Sequence, residues 1–251
     1  MKHEGLFKPF RIADIRNENR FTRTLIFDDS LEGAQPGQYI MAWLPGFDER
    51  PFSLSGDDPL AITIADVGPF SHGLTQLGEG DKVWVRGPFG KGFSLTAQSH
   101  LLVGGGYGAA PLSLLARRAR TLGHSLAVAL GAKSASDLMM VSAFEEMGCQ
   151  VYLATEDGST GVRGLVTAAV TQAIADCQPE ALYACGPNPM LLSLAEVARV
   201  NKLPAQLSFE ALIRCGIGLC GSCELPEDIC VCLGIQPGFL VCKDGPVVEL
   251  G

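Results

Sequence analysis

The stretch LLVGGGYGAAPL, residues 101–112, decides the fold class of this chain. LLV predicts the end of a buried strand, AAPL opens a helical pattern, and Gly104, Gly105, Gly106 and Gly108 lie between them. Glycines at such a junction let the backbone approach a pyrophosphate, and the helix N-terminus supplies amide donors. The stretch therefore predicts a parallel α/β unit with a phosphate-binding turn.

The residues after this turn continue the alternation of strands and helices. A second strand–turn–helix junction is CGPNPM, residues 185–190, in which Pro189 suits the first turn of a helix. In a parallel sheet both junctions would line one crevice at the carboxyl ends of the strands; the alternative is an ordinary turn. The acidic residue expected after the second strand is missing, and Lys133 stands there as a phosphate contact or a surface charge.

The residues before this unit show a different pattern, that of short strands. Over the first 95 or so, short segments rich in β-branched and aromatic residues are bounded by Gly, Pro or Asp, which predicts a small antiparallel barrel. One helical interruption is expected around Leu74 and Leu77. Within the barrel, RPFS at residues 50–53 offers a guanidinium for a phosphate, but on these residues alone an edge strand with a surface salt bridge is the better explanation.

Composition limits the classes of function. Of 251 residues 47% are hydrophobic and 18% charged, which predicts a packed core, and the net charge of −8 argues against nucleic acid or an anionic membrane surface. The sequence contains neither a signal peptide nor an apolar run of membrane-spanning length, so we expect a cytoplasmic protein. Nine cysteines in a reducing compartment favour metal ligands or buried thiols over disulfides.

Six of the nine cysteines lie between Cys215 and Cys242. The series Cys215-x4-Cys220-x2-Cys223 has the plant-type spacing of a 2Fe–2S cluster, whereas structural zinc more often uses two C-x2-C pairs. Zinc and unliganded thiols are the alternatives. We favour Cys242 as the fourth ligand because CKDGP places it at a turn, although Cys230 and Cys232 also lie downstream.

The order RPFS, GGGYGAAP, CGPNPM resembles that of the ferredoxin-reductase-like flavoenzymes. The appended CGIGLCGSC…CKDGP resembles, more narrowly, the electron-transfer subunits of class 1B dihydroorotate dehydrogenase. This resemblance implies an α+β multidomain fold: an antiparallel β-barrel FAD domain (1–97), a parallel-sheet α/β nicotinamide domain (98–205) and a small 2Fe–2S module (206–251).

The resemblance also assigns residues to cofactors. The FAD contacts would come from the arginine–serine strand, the strand beside the flavin and the following loop, in which Ser71 replaces the usual Thr and Phe70 a common glycine: Arg50, Pro51, Phe52, Ser53, Thr63, Ile64, Ala65, Gly68, Phe70 and Ser71. The nicotinamide nucleotide would lie against the glycine turn, the second junction and the loop 155–164: Gly105, Gly106, Gly108, Asp157, Cys185, Gly186 and Met190. The cluster ligands would be Cys215, Cys220, Cys223 and Cys242.

The function implied is an oxidoreductase subunit with no catalytic side chain of its own. It would move electrons from NADH through FAD and the 2Fe–2S cluster to the FMN of a dihydroorotate dehydrogenase catalytic subunit in pyrimidine biosynthesis, within a heterotetramer of two plus two chains. The alternatives are an NADH-linked subunit of a sulfhydrogenase, sulfite reductase or ferredoxin–NADP oxidoreductase, and a non-catalytic zinc-bound adaptor.

The tail segment 223–239 predicts a contact surface for that partner. It mixes acidic residues with apolar ones, some of which we expect to form a contact patch because a loop-rich module would bury them poorly; the alternative is that they pack back on the nicotinamide domain. The apolar residues are Leu225, Ile229, Leu233, Ile235 and Phe239.

Overall fold

The computed structural model describes residues 6–251, and its first half forms a closed antiparallel barrel of strand order β1-β2-β5-β4-β3-β6. The strands are β1 (Lys8–Asn19), β2 (Thr22–Phe27), β3 (Tyr39–Leu44), β4 (Asp48–Asp57), β5 (Leu60–Ala65) and β6 (Lys82–Phe89), and helix α1 (Pro69–Thr75) follows β5. This confirms the predicted barrel and its helical interruption.

The first strand shows how the barrel builds its core. In β1, Phe10 and Ile12 are buried while Lys8 and Arg11 are exposed, as expected where one face of a strand meets a core and the other meets water. Leu25, Ile40 and residues like them from the other strands fill the interior.

The second half forms a seven-stranded sheet of order β10-β9-β8-β7-β11-β12-β13, with helices on both faces. Its elements are β7 (Ser99–Gly105), α2 (Ala109–Thr121), β8 (Ser125–Ala132), α3 (Val141–Glu146), β9 (Gln150–Thr155), β10 (Val162–Arg163), α4 (Val166–Cys177), β11 (Ala181–Cys185), α5 (Asn188–Asn201), β12 (Ala205–Ser208), α6 (Glu227–Leu233) and β13 (Val247–Leu250). All pairings are parallel except that of β13 with β12. No helix within residues 6–251 is long and apolar enough to cross a membrane.

Helix α2 fastens the barrel to the sheet. Leu114, on α2, is 1% exposed and belongs to the barrel core. Ser113 Oγ donates to the Ser55 carbonyl of β4 at 3.0 Å, Arg117 donates to the same carbonyl, and Arg118 pairs with Asp57. The helix that begins at the glycine turn is therefore fixed to the strand that carries RPFS.

The C-terminal residues return to the sheet, and this overturns the contact surface predicted for the tail. Leu225 and Leu233 are 3% and 7% exposed and belong to the core under the sheet, against which Ile229, Ile235 and Phe239 pack. The cause is α6, which packs against α5, together with β13, which pairs with β12. The apolar residues of the tail are therefore buried under the sheet, which the cysteine-rich sequence does not predict.

Two histidines meet near the end of β7 opposite the glycine turn. His100, at the start of β7, is fully buried, and its Nε2 lies 2.9 Å from Nδ1 of His124. Its own Nδ1 has no hydrogen-bond partner among the described residues. Burial, and then the neighbouring His124, lower the pKa of His100 to about 4, against the opposite effect of Glu180. The ring is therefore neutral at pH 7.

Candidate functional site

A cavity of about 560 Å³ opens where the barrel, the sheet and the segment before the cysteines meet. Its size lies within the range of about 300–1,000 Å³ that cofactor sites occupy. Most of the predicted site residues line it: Arg50, Pro51, Phe52, Ser53, Thr63, Ala65, Gly68, Phe70, Ser71, Gly108 and Cys185. Residues up to 135 positions apart in the sequence are thus brought to one cavity.

The barrel wall of this cavity carries the cationic group. Arg50, in β4, has a half-exposed side chain whose Nη2 lies 2.6 Å from Oδ2 of Asp48, and its Nη1 donates to the Glu49 carbonyl at 2.9 Å. The guanidinium retains further donors that face solvent at the cavity, which suits a phosphate. Ser53 lies on the same strand and lines the cavity.

The turn into α1 is fixed by Ser71. Its Oγ accepts from the backbone N–H of Val67 and of Gly68, both at 3.0 Å, and donates to the Gly68 carbonyl at 3.0 Å. Because the hydroxyl is already committed to this turn, it shapes the cavity wall rather than standing free in it. Gly68 has open space where a Cβ would be, which leaves its backbone accessible to a ligand.

Phe70 has a structural neighbourhood of its own. Its ring stacks on Phe47 at 5.9 Å and on Phe52 at 6.2 Å between centroids.

The predicted contact of Ile64 is not formed. Its side chain does not reach the cavity and is fully buried in the barrel core, between Thr63 and Ala65 in the sequence. Alternation along β5 accounts for this, because neighbours of a cavity-facing residue point the other way.

The opposite wall is formed by the two glycine-containing junctions, which touch. A Cβ added at Gly108 would lie 2.2 Å from the Cys185 carbonyl oxygen, and one added at Gly105 would lie 2.5 Å from Met190 Sδ. A Cβ at Gly186 would lie 2.6 Å from Met190 Cε. Only glycine permits this approach, and the predicted common crevice of the two junctions is what the backbone forms.

Asp157 lies apart from the cavity lining. It follows β9, and its Oδ1 accepts from the Ser159 N–H at 2.9 Å and from the Ser159 hydroxyl at 2.6 Å. These hydrogen bonds lower the pKa of the carboxyl. Gly105, Gly106, Gly186 and Met190 do not line the cavity either. Gly105 and Gly186 pack against Met190, whereas the space beside Gly106 is open.

Four polar cavity residues were missed by the sequence analysis: Tyr39, Tyr107, Ser208 and Glu210. Residue Glu210 is exposed as a whole, but its carboxyl group is surrounded by protein. This burial raises the pKa of the carboxyl, and a hydrogen bond with the Tyr107 hydroxyl partly offsets the rise. Burial raises the pKa of the Cys185 thiol to about 12 despite a hydrogen bond with Ser208, so the thiol is neutral. Only the fold brings β12 beside β11, and no local pattern marks these residues.

Beside the cavity, the four predicted cysteine ligands form two pairs. Cys215 and Cys220 lie close enough for each to affect the pKa of the other's thiol, and Cys223 lies close enough to Cys242 to raise the pKa of the Cys242 thiol. No group of three or more potential ligands within residues 6–251 is arranged around a single ion. A two-iron cluster takes four thiolates, two on each iron, and two neighbouring pairs suit it better than they suit one tetrahedral zinc.

Backbone N–H groups point at these sulfurs. The Gly218 N–H donates to Cys242 Sγ at 3.1 Å, the Leu219 N–H to Cys215 Sγ at 3.4 Å, and the Cys242 N–H to Cys223 Sγ at 3.4 Å. Burial opposes ionisation of Cys215, but the N–H groups outweigh it and lower the pKa of its thiol to about 6. Such a cradle of amides fits anionic thiolates, and so the residues fit a 2Fe–2S cluster.

The two further cysteines are placed differently. Cys230 is fully buried in α6 with its sulfur 3.8 Å from the Leu225 carbonyl oxygen, and Cys232 is exposed on the same helix. Neither has a hydrogen bond to the four paired thiols. This supports Cys242 as the fourth ligand.

The cysteine loop rests on the barrel through two side chains. The Tyr39 hydroxyl, from β3, lies 3.0 Å from the Cys242 carbonyl oxygen and 3.2 Å from that of Gly216. Arg86, from β6, donates to the Cys215 carbonyl at 2.8 Å and pairs with Glu49 at 2.6 Å. Neither residue carries a sequence motif, and both were missed.

Curated proteins similar to this chain share one description. A Methanopyrus kandleri protein, named as a probable dihydroorotate dehydrogenase B (NAD(+)) electron transfer subunit, is 37% identical over 96% of this chain and 90% of its own length. A Thermococcus kodakarensis protein of the same name is 37% identical over 97% of both chains. The chain belongs to the dihydroorotate dehydrogenase B (NAD+) electron transfer subunit family. No family model matches the chain.

Two solved structures share the fold of this chain. The structure of an NADH-dependent reduced ferredoxin-NADP oxidoreductase superposes with a TM-score of 0.84 and 25% identity, covering 98% of this chain and 89% of that one. The FAD/NAD-binding domain of a Vibrio cholerae nitric oxide dioxygenase gives a TM-score of 0.68 at 18% identity over 78% of this chain and 94% of that one. The second match shows the fold alone, and both confirm the predicted ferredoxin-reductase-like architecture.

Proposed function

We propose that this chain takes hydride from NADH at an FAD held in the cavity and passes single electrons through a 2Fe–2S cluster at the cysteine loop. The acceptor is the FMN of a dihydroorotate dehydrogenase catalytic subunit, in a cytoplasmic complex of two plus two chains. The observation that carries the proposal is one cavity walled by RPFS on one side and by the two glycine junctions on the other, with four paired cysteines beside it.

In this proposal the barrel binds FAD. The Arg50 guanidinium pairs with a phosphate, the backbone at Gly68 admits the pyrophosphate, and β4 and β5 lie along the flavin. The aromatic neighbours Phe52 and Phe70 give the cavity an apolar wall that excludes water. We propose the three functional regions 1–97, 98–205 and 206–251 for FAD, nicotinamide and the cluster. They are not separate structural units, because strand β12 (Ala205–Ser208) crosses the second boundary.

In this proposal the two junctions bind the nicotinamide nucleotide. Close contact between Gly108 and Cys185 keeps both backbones near the cavity, and the amide donors at the start of α2 suit the pyrophosphate. Cys185 and Glu210 lie in the wall where the nicotinamide ring would meet the flavin. With the thiol pKa raised to about 12, Cys185 contributes a neutral surface.

The cofactors supply the redox chemistry when bound: FAD accepts a pair of electrons as hydride, and a 2Fe–2S cluster exchanges them one at a time. The protein supplies four thiolates, the amides that stabilise them and a fixed position beside the cavity.

The partner surface we propose is the loop patch, defined as Leu212, Ile217 and Leu219. These side chains are 59%, 57% and 81% exposed and flank Cys215 and Cys220. Exposed apolar side chains around an electron exit suit a protein partner, whose contact also shields the thiolates from water. The loop patch replaces the tail segment as the proposed surface.

Co-expression with an FMN-binding dihydroorotate dehydrogenase catalytic chain tests the proposal. We expect one complex in size-exclusion chromatography that oxidises NADH when orotate is added. The variant Leu219→Glu is expected to weaken the complex, whereas Val200→Glu, at a position 70% exposed on α5, is the matched control and is expected to bind as the unaltered chain does. Separate elution without orotate-dependent NADH oxidation would contradict the proposal.

A second candidate function is that of the ferredoxin–NADP oxidoreductase subunit whose structure superposes with a TM-score of 0.84. The curated relatives, at 37% identity over nearly the whole chain, favour the dihydroorotate branch. NADH-dependent reduction of a ferredoxin together with no response to orotate would support the second candidate.

A further inference from the structure

Tyr39 lies between the cavity and the cysteine loop. It is 2% exposed, and its ring lines the flavin cavity and packs on Phe89 with centroids 5.8 Å apart. Its hydroxyl lies within hydrogen-bond distance of the carbonyl oxygens of Gly216 and Cys242. One buried side chain thus contacts the cavity and the cysteine loop at once.

Two other hydrogen bonds that hold the cysteine loop do not come from a cavity-lining side chain. Arg86 holds the Cys215 carbonyl at 2.8 Å and lies outside the cavity lining. Ser222 Oγ donates to the Leu212 carbonyl at 2.9 Å, so this second link to a cavity residue passes through the main chain. Met41, also on β3, supports the loop by contact alone: a Cβ added at Gly216 would lie 3.3 Å from Met41 Cγ.

We propose that Tyr39 is a positioning residue that sets the cysteine loop against the flavin cavity and favours the reduced cluster. The inference rests on the proposed function. The O–H dipole points at the carbonyls of the loop, one of which belongs to the ligand Cys242. Donors placed around cluster ligands stabilise the more negative state, and they do so more strongly where water is excluded, as it is at this buried hydroxyl.

The variant that isolates this role is Tyr39→Phe, which keeps the ring in the cavity wall and removes only the hydroxyl. The matched control is Tyr183→Phe. Tyr183 is fully buried in β11, and its hydroxyl donates to the Ser94 carbonyl at 3.1 Å, away from the cavity and the loop. Both changes remove one buried hydroxyl bonded to backbone, so their general effects on stability are comparable.

The experiment uses the full chain with its cofactors, purified without oxygen and titrated with NADH. FAD and iron per chain, the ratio of reduced to oxidised cluster at a given fraction of reduced flavin, and the EPR spectrum of the reduced cluster are measured. We expect Tyr39→Phe to retain FAD and iron, to shift the ratio about two- to tenfold toward oxidised cluster, and to change the EPR g-values. Tyr183→Phe is expected to match the unaltered chain in ratio and spectrum.

Three results overturn the proposal. One is an unaltered ratio and spectrum in Tyr39→Phe, and another is an equal shift in Tyr183→Phe. The third is loss of iron or of the folded state in Tyr39→Phe, since the hydroxyl would then build the loop rather than position it. Failure of the proposed function is a separate observation: the unaltered chain would itself lack a cluster or fail to reduce it with NADH.

Discussion

Replacing Gly108 by alanine tests whether the two junctions must touch. Gly108 has φ −63° and ψ −12°, which alanine adopts freely, so backbone strain plays no part. The added Cβ would lie 2.2 Å from the Cys185 carbonyl oxygen and 2.5 Å from its carbon. Both are backbone atoms, which cannot rotate away, and one junction has to move. Overpacking of this kind costs about 1–3 kcal/mol, which in a chain of this length lowers Tm by about 2–12 °C.

The assay measures Tm by calorimetry and the rate at which NADH bleaches bound flavin in a stopped-flow instrument. We expect Gly108→Ala to bind FAD through the intact barrel but to accept hydride at least about tenfold more slowly, because displacement of a reacting group by about 1 Å has large effects on rate. The control is Gly78→Ala, whose Cβ would meet nothing closer than Asp81 Oδ2 at 3.8 Å. A Gly108→Ala protein with unchanged Tm and hydride transfer would refute the reasoning.

Three other predictions concern the flavin, the cluster and pH. Arg50→Ala should lower FAD affinity about ten- to hundredfold in a fluorescence titration by removing a charge-assisted bond, whereas Arg11→Ala, on the exposed face of β1, should leave it unchanged; equal affinities in both would move the phosphate site elsewhere. Cys242→Ser should lose iron while Cys230→Ser keeps it, and the reverse pattern in an iron assay would disprove the ligand assignment. Because the pKa of His100 is about 4 in the folded chain and 6.5 as its ordinary value, the unfolded chain binds the proton first, and the free energy of unfolding falls as pH drops through this window. The loss at pH 5 amounts to about 2 kcal/mol, and denaturant unfolding of His100→Leu should lack it.

Much of the fold could be predicted because its signals are local. Short strands rich in β-branched and aromatic residues, and a glycine turn between a buried strand and a helix, are visible within ten or so residues each. The order of the motifs supplied the family. The same local logic explains the contact between the two junctions, since parallel strands end at one edge.

The features that could not be predicted are contacts between residues far apart in the sequence. The apolar tail entered the sheet core because β13 pairs with β12, and four-residue strands carry too little pattern to predict. Tyr39 and Arg86 meet the cysteine loop across 129 or more positions, and Glu210 joins the cavity only because the chain passes beneath the second junction. None of these contacts leaves a periodic or spaced pattern.

The central claim is that this chain converts hydride into single electrons with its own cofactors, and one anaerobic titration tests it most directly. The purified chain is analysed for FAD, iron, sulfide and zinc, then titrated with NADH while absorbance and EPR are recorded. We expect FAD with about two irons and two sulfides per chain, flavin bleaching by NADH, and an EPR signal from the reduced cluster that grows with it. Zinc in place of iron, or bleached flavin without any cluster signal, would contradict the account.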